Sequence, residues 1–281
     1  MFKKKTVLIS LTLVLSIFLT SCSTIDNMYL KLGLKNDSFE YIKQGKIEKV
    51  VIQNARDNGF RFVVTDKNTI TELYDILSKA KKVDKKSELP SDYVIELYES
   101  PAKIYKFNYI AGLDKKNNGN LYSDSQYFTV SSRLDNDIIK NFWNSRKPID
   151  FQNIYYKSIL DSISKYKKEA GNYKTLSVKI YDDVDVLKYI LSVELNDFKN
   201  ELYSEQKEVI FIEKPSQEEN SDVMMTIATS GYMRNLYKSE ITFYNRNTKK
   251  EVKYYIWDSY DYDTRSWTSN IYTSNNKPKD F

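Results

Sequence analysis

The sequence contains no histidine, and this absence removes several classes of chemistry. Histidine is the side chain whose ordinary pKa lies closest to neutral pH, so it is the usual general base and a common ligand of zinc, copper and iron. Ser-His-Asp and Cys-His catalytic arrangements are therefore excluded. The catalytic options that remain are paired carboxylates, a lysine-activated serine and oxygen-ligated metals.

Cysteine and glycine are also scarce, with one cysteine and seven glycines among 281 residues. A single thiol forms no disulfide within the chain, so side-chain packing must stabilise the fold. The glycines do not form the G-x-G-x-x-G or G-x-x-x-x-G-K-[ST] patterns, which bring backbone amides around a phosphate group. We therefore expect no nucleotide cofactor, and we predict no cofactor site of any other kind.

The first 22 residues have the organisation of an export signal. Lys3, Lys4 and Lys5 precede an apolar run over residues 7–19, and Leu19-Thr20-Ser21-Cys22 is a lipobox. The apolar run is shorter than the roughly 20 residues that a transmembrane helix needs. The segment resembles bacterial lipoprotein signals, which implies removal of residues 1–21 and attachment of a diacylglyceryl group to Cys22. The alternative is an ordinary secreted or cytosolic protein with a chance cysteine at this position.

Two acyl chains hold a protein on a bilayer, because each buried CH₂ contributes about 0.8 kcal/mol. We therefore expect a lipid-anchored protein on the extracytoplasmic face of the cell membrane. Without residues 1–21 the formal net charge falls from +5 to +2, and acidic and basic residues are mixed along the chain. Nucleic-acid binding is not expected, since no dense basic stripe is present. The expected partners are the membrane, through Cys22, and an envelope protein or a wall ligand.

The pattern after the signal predicts a tether over residues 22–45 and a small α+β domain over residues 46–147. Asp57-Asn58-Gly59 provides the turn of a hairpin, and Thr65 or Asp66 caps a helix whose apolar residues recur at helical spacing. The predicted strands of this domain are residues 47–52, 60–65, 93–98, 104–110 and 127–130, and a closing helix is predicted over residues 135–144.

A second α+β domain is predicted over residues 148–281. Its predicted helices are residues 151–168 and 183–203, and its predicted strands are residues 176–181, 209–212, 223–228, 238–245 and 251–257. The fold class is thus α+β, with two small modules that each pack a mainly antiparallel sheet against one or two helices. Residues 69–78 align with residues 183–192. Either the second domain is a diverged copy of the first, or two amphipathic helices coincide.

Part of the first domain resembles a known family. The residues that carry the resemblance are Thr65-Asp66-Lys67, Ile70, Leu73, Ala80-Lys81-Lys82 and Pro90-Ser91-Asp92-Tyr93. They resemble the YhfM-like domain of bacterial lipoproteins, and the resemblance covers residues 46–143. It implies a lipoprotein setting, and it implies no activity and no catalytic residues.

Aromatic residues concentrate near the end of the chain, and exposed aromatic faces stack on sugars or anchor protein partners. Trp257, Tyr260, Tyr262 and Trp267 form the candidate binding surface. The alternative is that strand alternation buries half of these side chains and leaves the others as ordinary surface.

Four polar groups are weaker candidates, and each has a plain structural explanation. Carboxylate clusters suit calcium but also suit solvated loops and helix starts. Serine and lysine three residues apart suit nucleophilic catalysis but are frequent on helix surfaces, and glutamate pairs suit glycoside hydrolysis but are frequent on strands. The residues are Asp258, Asp261 and Asp263; Asp182, Asp183 and Asp185; Ser162 with Lys165 and Ser78 with Lys81; and Glu96 with Glu99. We expect no catalytic and no metal-binding residues among them.

These observations predict an envelope lipoprotein that binds a protein partner or a wall ligand without catalysing a reaction. The alternative is a wall-directed hydrolase that gathers carboxylates from distant parts of the chain into a cleft. A deep cleft with convergent carboxylates favours the enzyme, whereas a shallow aromatic face favours binding.

Overall fold

A computed structural model describes residues 28–113, 118–142, 146–170, 173–206, 208–213 and 221–281. The predicted signal peptide and Cys22 lie outside these residues. No helix in the described ranges has the length and apolar character that a bilayer span requires. The chain divides into two compact units. Unit 1 runs to Ile52 and includes Phe62–Glu88 and Val94–Ile139, and unit 2 comprises Gln53–Arg61, Leu89–Tyr93 and Lys140–Phe281.

Unit 1 is built around a seven-stranded sheet of order β2-β1-β4-β5-β6-β7-β3. Its labelled elements are β1 (Lys49–Asn54), β2 (Arg61–Val64), β3 (Lys81–Val83), β4 (Tyr93–Ser100), β5 (Lys103–Tyr109), β6 (Leu121–Tyr122) and β7 (Tyr127–Thr129), with the helices α1 (Glu40–Lys43) and α2 (Lys67–Leu77). The pairs β5–β6, β6–β7 and β7–β3 are antiparallel. The predicted hairpin and the strands near residues 93, 104 and 127 are confirmed.

The helix α2 forms where its cap and its apolar spacing predict it. The side chain of Asp66 accepts a hydrogen bond of 2.8 Å from the backbone N–H of Thr69, which satisfies one of the free amides of the first turn. Ile70, Leu73 and Leu77 are buried along one face of the helix. The predicted helix and its cap are confirmed.

Most of the stretch predicted as a tether is described, and its second half packs on unit 1. The side-chain amide of Asn36 donates hydrogen bonds of 2.8 to 3.0 Å to three carbonyls at and just beyond the end of α2, those of Leu77, Ser78 and Ala80. Phe39 is fully buried, and its ring centroid lies 5.0 Å from that of Phe128. Any free tether therefore ends before Asn36.

Unit 2 contains a six-stranded sheet of order β13-β12-β11-β10-β8-β9. Its elements are α3 (Phe151–Ala170), β8 (Leu176–Lys179), α4 (Ser192–Glu205), β9 (Val209–Ile212), β10 (Val223–Met233), β11 (Leu236–Asn245), β12 (Lys250–Asp261) and β13 (Ser266–Thr273). The strand β8 is parallel to β9 and β10, whereas the pairs β10–β11, β11–β12 and β12–β13 are antiparallel. The helix α4 makes the crossover that the parallel pair β8–β9 needs. The predicted α+β fold class is confirmed.

The core of unit 2 lies between the sheet and one face of α3. Ile159, Ile163 and Tyr166 are buried on that face, and the Tyr166 ring stacks on Phe243 of β11 with centroids 4.2 Å apart. Tyr254 and Ile256 of β12 belong to the same cluster. Because side chains alternate along a strand, the residues between them, such as Tyr255, lie on the other face of the sheet.

The start of α4 is held by residues that are far away in the sequence but belong to unit 2. No side chain of its own segment caps this helix. Instead, the buried carboxylate of Asp92 accepts the backbone N–H of Ser192 at 2.7 Å and pairs with Arg56 at 2.7 Å. Arg56 also donates to the carbonyl of Ile190 and to the Ser192 hydroxyl. Unit 2 thus takes residues from both sides of the predicted boundary at Pro148.

Residues 183–203 do not form the single helix that their apolar spacing predicts, so this prediction is wrong. A 3₁₀ turn covers Leu187–Tyr189, Ile190 is extended, and α4 begins at Ser192. The carboxylate of Asp183 is engaged with Thr229 and Tyr155, and this contact holds the start of the segment away from a helical path. The alignment of residues 69–78 with 183–192 therefore no longer pairs two helices.

Other elements also differ from their predictions, and β3 and β6 are strands that the sequence does not predict. The closing helix is a π-helical turn over Leu134–Ile139 followed by a 3₁₀ turn over Lys140–Phe142, and residues 143–144 lie outside the described chain. The strand predicted over residues 251–257 continues to Asp261 and turns into β13, which sequence analysis missed. Arg265 in this turn has a φ of 54°, a left-handed conformation that is uncommon for a residue other than glycine.

Candidate functional site

A groove of about 540 Å³ lies between α3 and α4 in unit 2. Each helix contributes residues three or four positions apart, which fall on one helical face. The lining residues are Gln152, Asn153, Tyr156, Lys157, Leu160, Asp161 and Ser164 of α3 and Glu194, Asp197, Phe198, Glu201 and Glu205 of α4. The volume is in the range of small-ligand sites.

An aromatic pair links the two walls of the groove. The rings of Tyr156 and Phe198 are stacked, with centroids 4.4 Å apart and planes 9° apart. Both side chains are more than nine-tenths buried. The hydroxyl of Tyr156 is buried and has no hydrogen-bond partner among the described residues. Such an orphan donor costs free energy unless a ligand or water satisfies it.

The groove is strongly acidic. On α3, Asp161 pairs with Lys157 at 2.8 Å. On α4, Asp197, Glu201 and Glu205 have no ion-pair partner in the part of the chain that the structure describes. Like charges on one helical face repel one another, so a bound cation would lower the energy of this wall.

Glu194 differs from the other acidic residues because it lies deeper in the groove. Its Oε2 atom is buried and has no hydrogen-bond partner among the described residues. Burial raises the pKa of Glu194 to about 7, although the charge of Lys147 acts in the opposite direction. Burial in turn lowers the pKa of Lys147 to about 8. The position of Glu194 in the groove therefore favours its protonated form.

The arrangement can bind a cation beside an apolar surface, and it can also present a protonated carboxyl group next to ionisable carboxylates. The first property suits recognition of basic segments, and the second is a requirement of acid-base catalysis. A further cavity of about 530 Å³ in unit 2 has a lining that is mainly apolar and includes Ile180, Ile190 and Phe211.

The four residues of the candidate aromatic surface do not lie on one face. Tyr260 and Trp267 are paired across β12 and β13 with ring centroids 5.4 Å apart, and Trp267 packs against the core on the side of α3. Trp257 lies on the opposite face of the sheet. Tyr262 is exposed in the turn, and its ring lies 5.3 Å from that of Tyr260. The predicted surface is thus split into a three-residue cluster and a separate tryptophan.

The carboxylates near the end of β12 do not converge. Asp258 is buried and accepts a hydrogen bond of 3.1 Å from Ser158 of α3. Asp261 accepts the backbone N–H groups of Asp263 and Thr264, so it stabilises the turn. Among the described residues, no three His, Cys, Asp or Glu side chains are grouped so that they could hold a metal ion.

Asp182, Asp183 and Asp185 also have separate environments. Asp182 pairs with Lys179 at 2.8 Å. Asp183 is buried, and it accepts hydrogen bonds from the backbone and hydroxyl of Thr229 and from the Tyr155 hydroxyl. Their expected role at a helix start is wrong, because no helix starts there.

The members of the serine-lysine and glutamate pairs lie in different environments. Ser162 is fully buried on α3, whereas Lys165 forms an exposed ion pair with Glu169. Glu96 and Glu99 are three residues apart on β4, which places them on opposite faces of the strand. In the other serine-lysine pair, Ser78 follows the end of α2 and Lys81 begins β3.

The groove is not predicted from the sequence. Glu194, Asp197, Glu201 and Glu205 form a stripe at helical spacing that is visible in the sequence, but it has no meaning until a second helix faces it. The partner wall on α3 lies about 40 residues earlier, and an amphipathic pattern does not show which helices pack together.

Comparison with known proteins gives one match. Residues 43–148 match the family model described as YhfM protein, which confirms the resemblance found over residues 46–143. This match covers less than half of the chain, and the residues that line the groove lie outside it. No curated protein and no solved structure matches the chain.

Proposed function

We propose that this protein, whose residues 43–148 match the YhfM family, is a lipid-anchored envelope protein that binds cationic peptide segments in the groove between α3 and α4 without chemical turnover. The observation that carries the proposal is the acidic stripe of α4 facing the aromatic pair of Tyr156 and Phe198. Lysine and arginine side chains combine a charged head with an apolar stem, so they match both features.

The length of the stripe fits a short peptide. From Glu194 to Glu205 the helix rises roughly 16 Å, which equals about five residues of an extended chain. Exposed carboxylates attract basic segments at a distance, so they would mainly accelerate association.

The test is a titration of the mature chain with fluorescein-labelled pentalysine, and with pentaserine as the neutral probe. We expect saturable binding of pentalysine that weakens as salt rises, because screening reduces charge attraction. Replacing Asp197→Asn and Glu201→Gln together should weaken the affinity roughly tenfold, given up to about 1 kcal/mol for each partly exposed charge.

The matched control removes two charges elsewhere in unit 2, through Glu251→Gln and Asp263→Asn. Both side chains are exposed and lie outside the groove. Equal weakening by the control pair would show that net charge, and not the groove, attracts the peptide. Failure of the unmodified chain to bind pentalysine at low salt would contradict the proposal.

The anchor has its own test, which is independent of the ligand. We expect the chain to fractionate with the cell membrane and to enter the detergent phase on extraction, because the lipid on Cys22 supplies the apolar surface. Cys22→Ala should move it to the aqueous phase, whereas Ser21→Ala should leave it anchored. Retention of the Cys22→Ala chain in the membrane would show that another feature holds it there.

A second function, a wall-directed hydrolase, is favoured by one observation. Burial raises the pKa of Glu194 to about 7, and its groove also contains Asp161 and Asp197. Glycoside hydrolysis uses such a protonated carboxyl together with a carboxylate. Purified wall glycan would then release reducing ends in the presence of the chain, and Glu194→Gln would slow the release at least roughly a hundredfold. Absence of release with the intact chain would leave binding as the function.

A further inference from the structure

Residues 277–281 cross the face of β12 that lies away from α3. They follow the 3₁₀ turn Ser274–Asn276, in which the side chain of Asn276 accepts the backbone N–H of Thr273. The side chains beneath them are Tyr255 and Trp257, which alternate with the core residues Tyr254 and Ile256. We call Lys238, Tyr255 and Trp257 the strip, and we call residues 277–281 the strap.

The strap contacts the strip through rings and cations. The Phe281 ring centroid lies 5.1 Å from Tyr255 and 6.4 Å from Trp257. The Lys277 ammonium lies 4.3 Å from the Tyr255 ring centroid and 4.8 Å from that of Phe281. From the strip, the Lys238 ammonium lies 3.6 Å from the Trp257 ring and donates a hydrogen bond of 2.7 Å to the Asp280 carbonyl.

These contacts leave Tyr255 only 8% exposed, although it lies on the face of the sheet that α3 does not cover. The strand β12, which carries Tyr255 and Trp257, has no free edge, because it pairs with β11 on one side and with β13 on the other. The strap is therefore held by side chains and one carbonyl rather than by strand pairing. Any segment that places a cation four residues before an aromatic ring can make the same contacts.

We propose that the strip is a docking surface for a peptide segment of a partner protein, in which a lysine or arginine lies four residues before an aromatic residue. The strap occupies this surface as an internal competitor until the partner segment displaces it. The surface is separate from the acidic groove, so the inference does not depend on the proposed function. A linked segment competes at an effective concentration in the millimolar range, which keeps the strap bound in the absence of a partner.

The experiment uses ¹⁵N-labelled chain shortened after Asn276, with the peptide Lys-Pro-Lys-Asp-Phe as probe. The Trp257 indole resonance, assigned with Trp257→Phe, should move saturably toward its position in the full chain as peptide is added. The Trp267 indole should not move, which shows that the fold is intact. The full chain should need at least about tenfold more peptide for the same change, because its strap competes.

Two controls separate the strip from general stickiness. The peptide Ala-Pro-Ala-Asp-Ala should produce no shift, and Tyr262→Ala, which removes an exposed aromatic outside the strip, should leave binding unchanged. If the shortened chain does not fold, the full chain with Lys277→Ala and Phe281→Ala replaces it, since it frees the strip without deleting backbone.

Three results would overturn the inference. The first is no shift of Trp257 in a folded chain that lacks the strap. The second is equal binding by the full and shortened chains, because the strap would then not compete. The third is a concentration-dependent dimer of the full chain that Phe281→Ala abolishes, because the strip would then serve self-assembly through a second copy.

Discussion

Asp183 and Asp258 are 3% and 1% exposed, respectively, and their chemistry is set by that burial. Removal from water disfavours the charged form, and it raises the pKa of each residue to about 6 despite hydrogen bonds that act in the opposite direction. In the sequence, both residues belong to groups that resemble metal ligands or helix caps. Only the position of α3 above the sheet shows that Asp258 faces Ser158.

We expect Asp258→Asn to flatten the dependence of stability on pH. The folded-state pKa of Asp258 is raised, so its contribution is fully present below about pH 4 and is lost as the pH rises through about 6. Asparagine stays neutral, so the variant should gain on the order of 2 kcal/mol relative to the unmodified chain between pH 4.5 and 7.5. Denaturant unfolding at both values measures this difference.

Asp222→Asn is the control for this measurement. Asp222 is half-buried, and the hydrogen bonds that its carboxylate accepts from the Lys174 backbone N–H and the Asn247 side chain lower its pKa, so it titrates below the tested window. Its replacement should change stability by the same amount at both pH values. An Asp258→Asn variant that behaves in the same way would show that Asp258 is charged in the folded protein throughout this range.

At the level of elements, α2 and α4 show two ways in which a helix can begin. Asp66 caps α2 from the residue next to it, and this pattern is readable in the sequence. The first amide of α4 is satisfied instead by Asp92, which lies 100 residues earlier. A local cap predicts a helix start well, whereas a distant cap leaves no local signal. The sequence around residue 192 therefore does not show that α4 begins there.

Asp66→Ala should lower the free energy of unfolding, because the Thr69 amide loses its acceptor. Asp66→Ser should retain most of the stability, since a serine hydroxyl accepts the same hydrogen bond. The free energy of unfolding of the three chains measures the effect. If the alanine and serine variants were equally destabilised, the cap hydrogen bond would not be the cause.

For the whole molecule, unit 2 is assembled from three separate stretches of chain. The contacts of Arg56 and Asp92 with Ile190 and Ser192 lie within this unit, although the first two residues fall inside the YhfM match and the last two fall outside it. A fragment that begins at Pro148 would lack the cap of α4. The division of the chain into domains over residues 46–147 and 148–281 stays a prediction.

Asp92→Ala should therefore destabilise unit 2, by about 3 kcal/mol, because it leaves Arg56 unpaired in a site where it is largely buried and uncaps α4. Hydrogen exchange should show faster exchange in the first turn of α4, at residues 192–195. Asp84→Ala, which removes an exposed carboxylate, should alter neither quantity. Unchanged exchange in α4 after Asp92→Ala would contradict the assigned cap.

Features that depend only on neighbouring residues can be predicted from the sequence alone. These are the capped helix after Asp66, the strand alternation, the α+β class and the YhfM resemblance over residues 46–143, whereas the export signal ending at Cys22 stays a prediction. The sequence also excludes histidine chemistry outright, because composition does not depend on folding.

Features that require two distant segments to meet follow only from the folded structure. The acidic groove needs α3 and α4 side by side, and the strip is covered by a strap that follows β13. The pKa of Asp258 is raised because the folded chain buries this residue beneath α3. Periodicity gives the apolar face of each element but not the element that it faces. Burial, the proximity of charges and the geometry of a binding site depend on which elements face each other, so they are visible only in the folded chain.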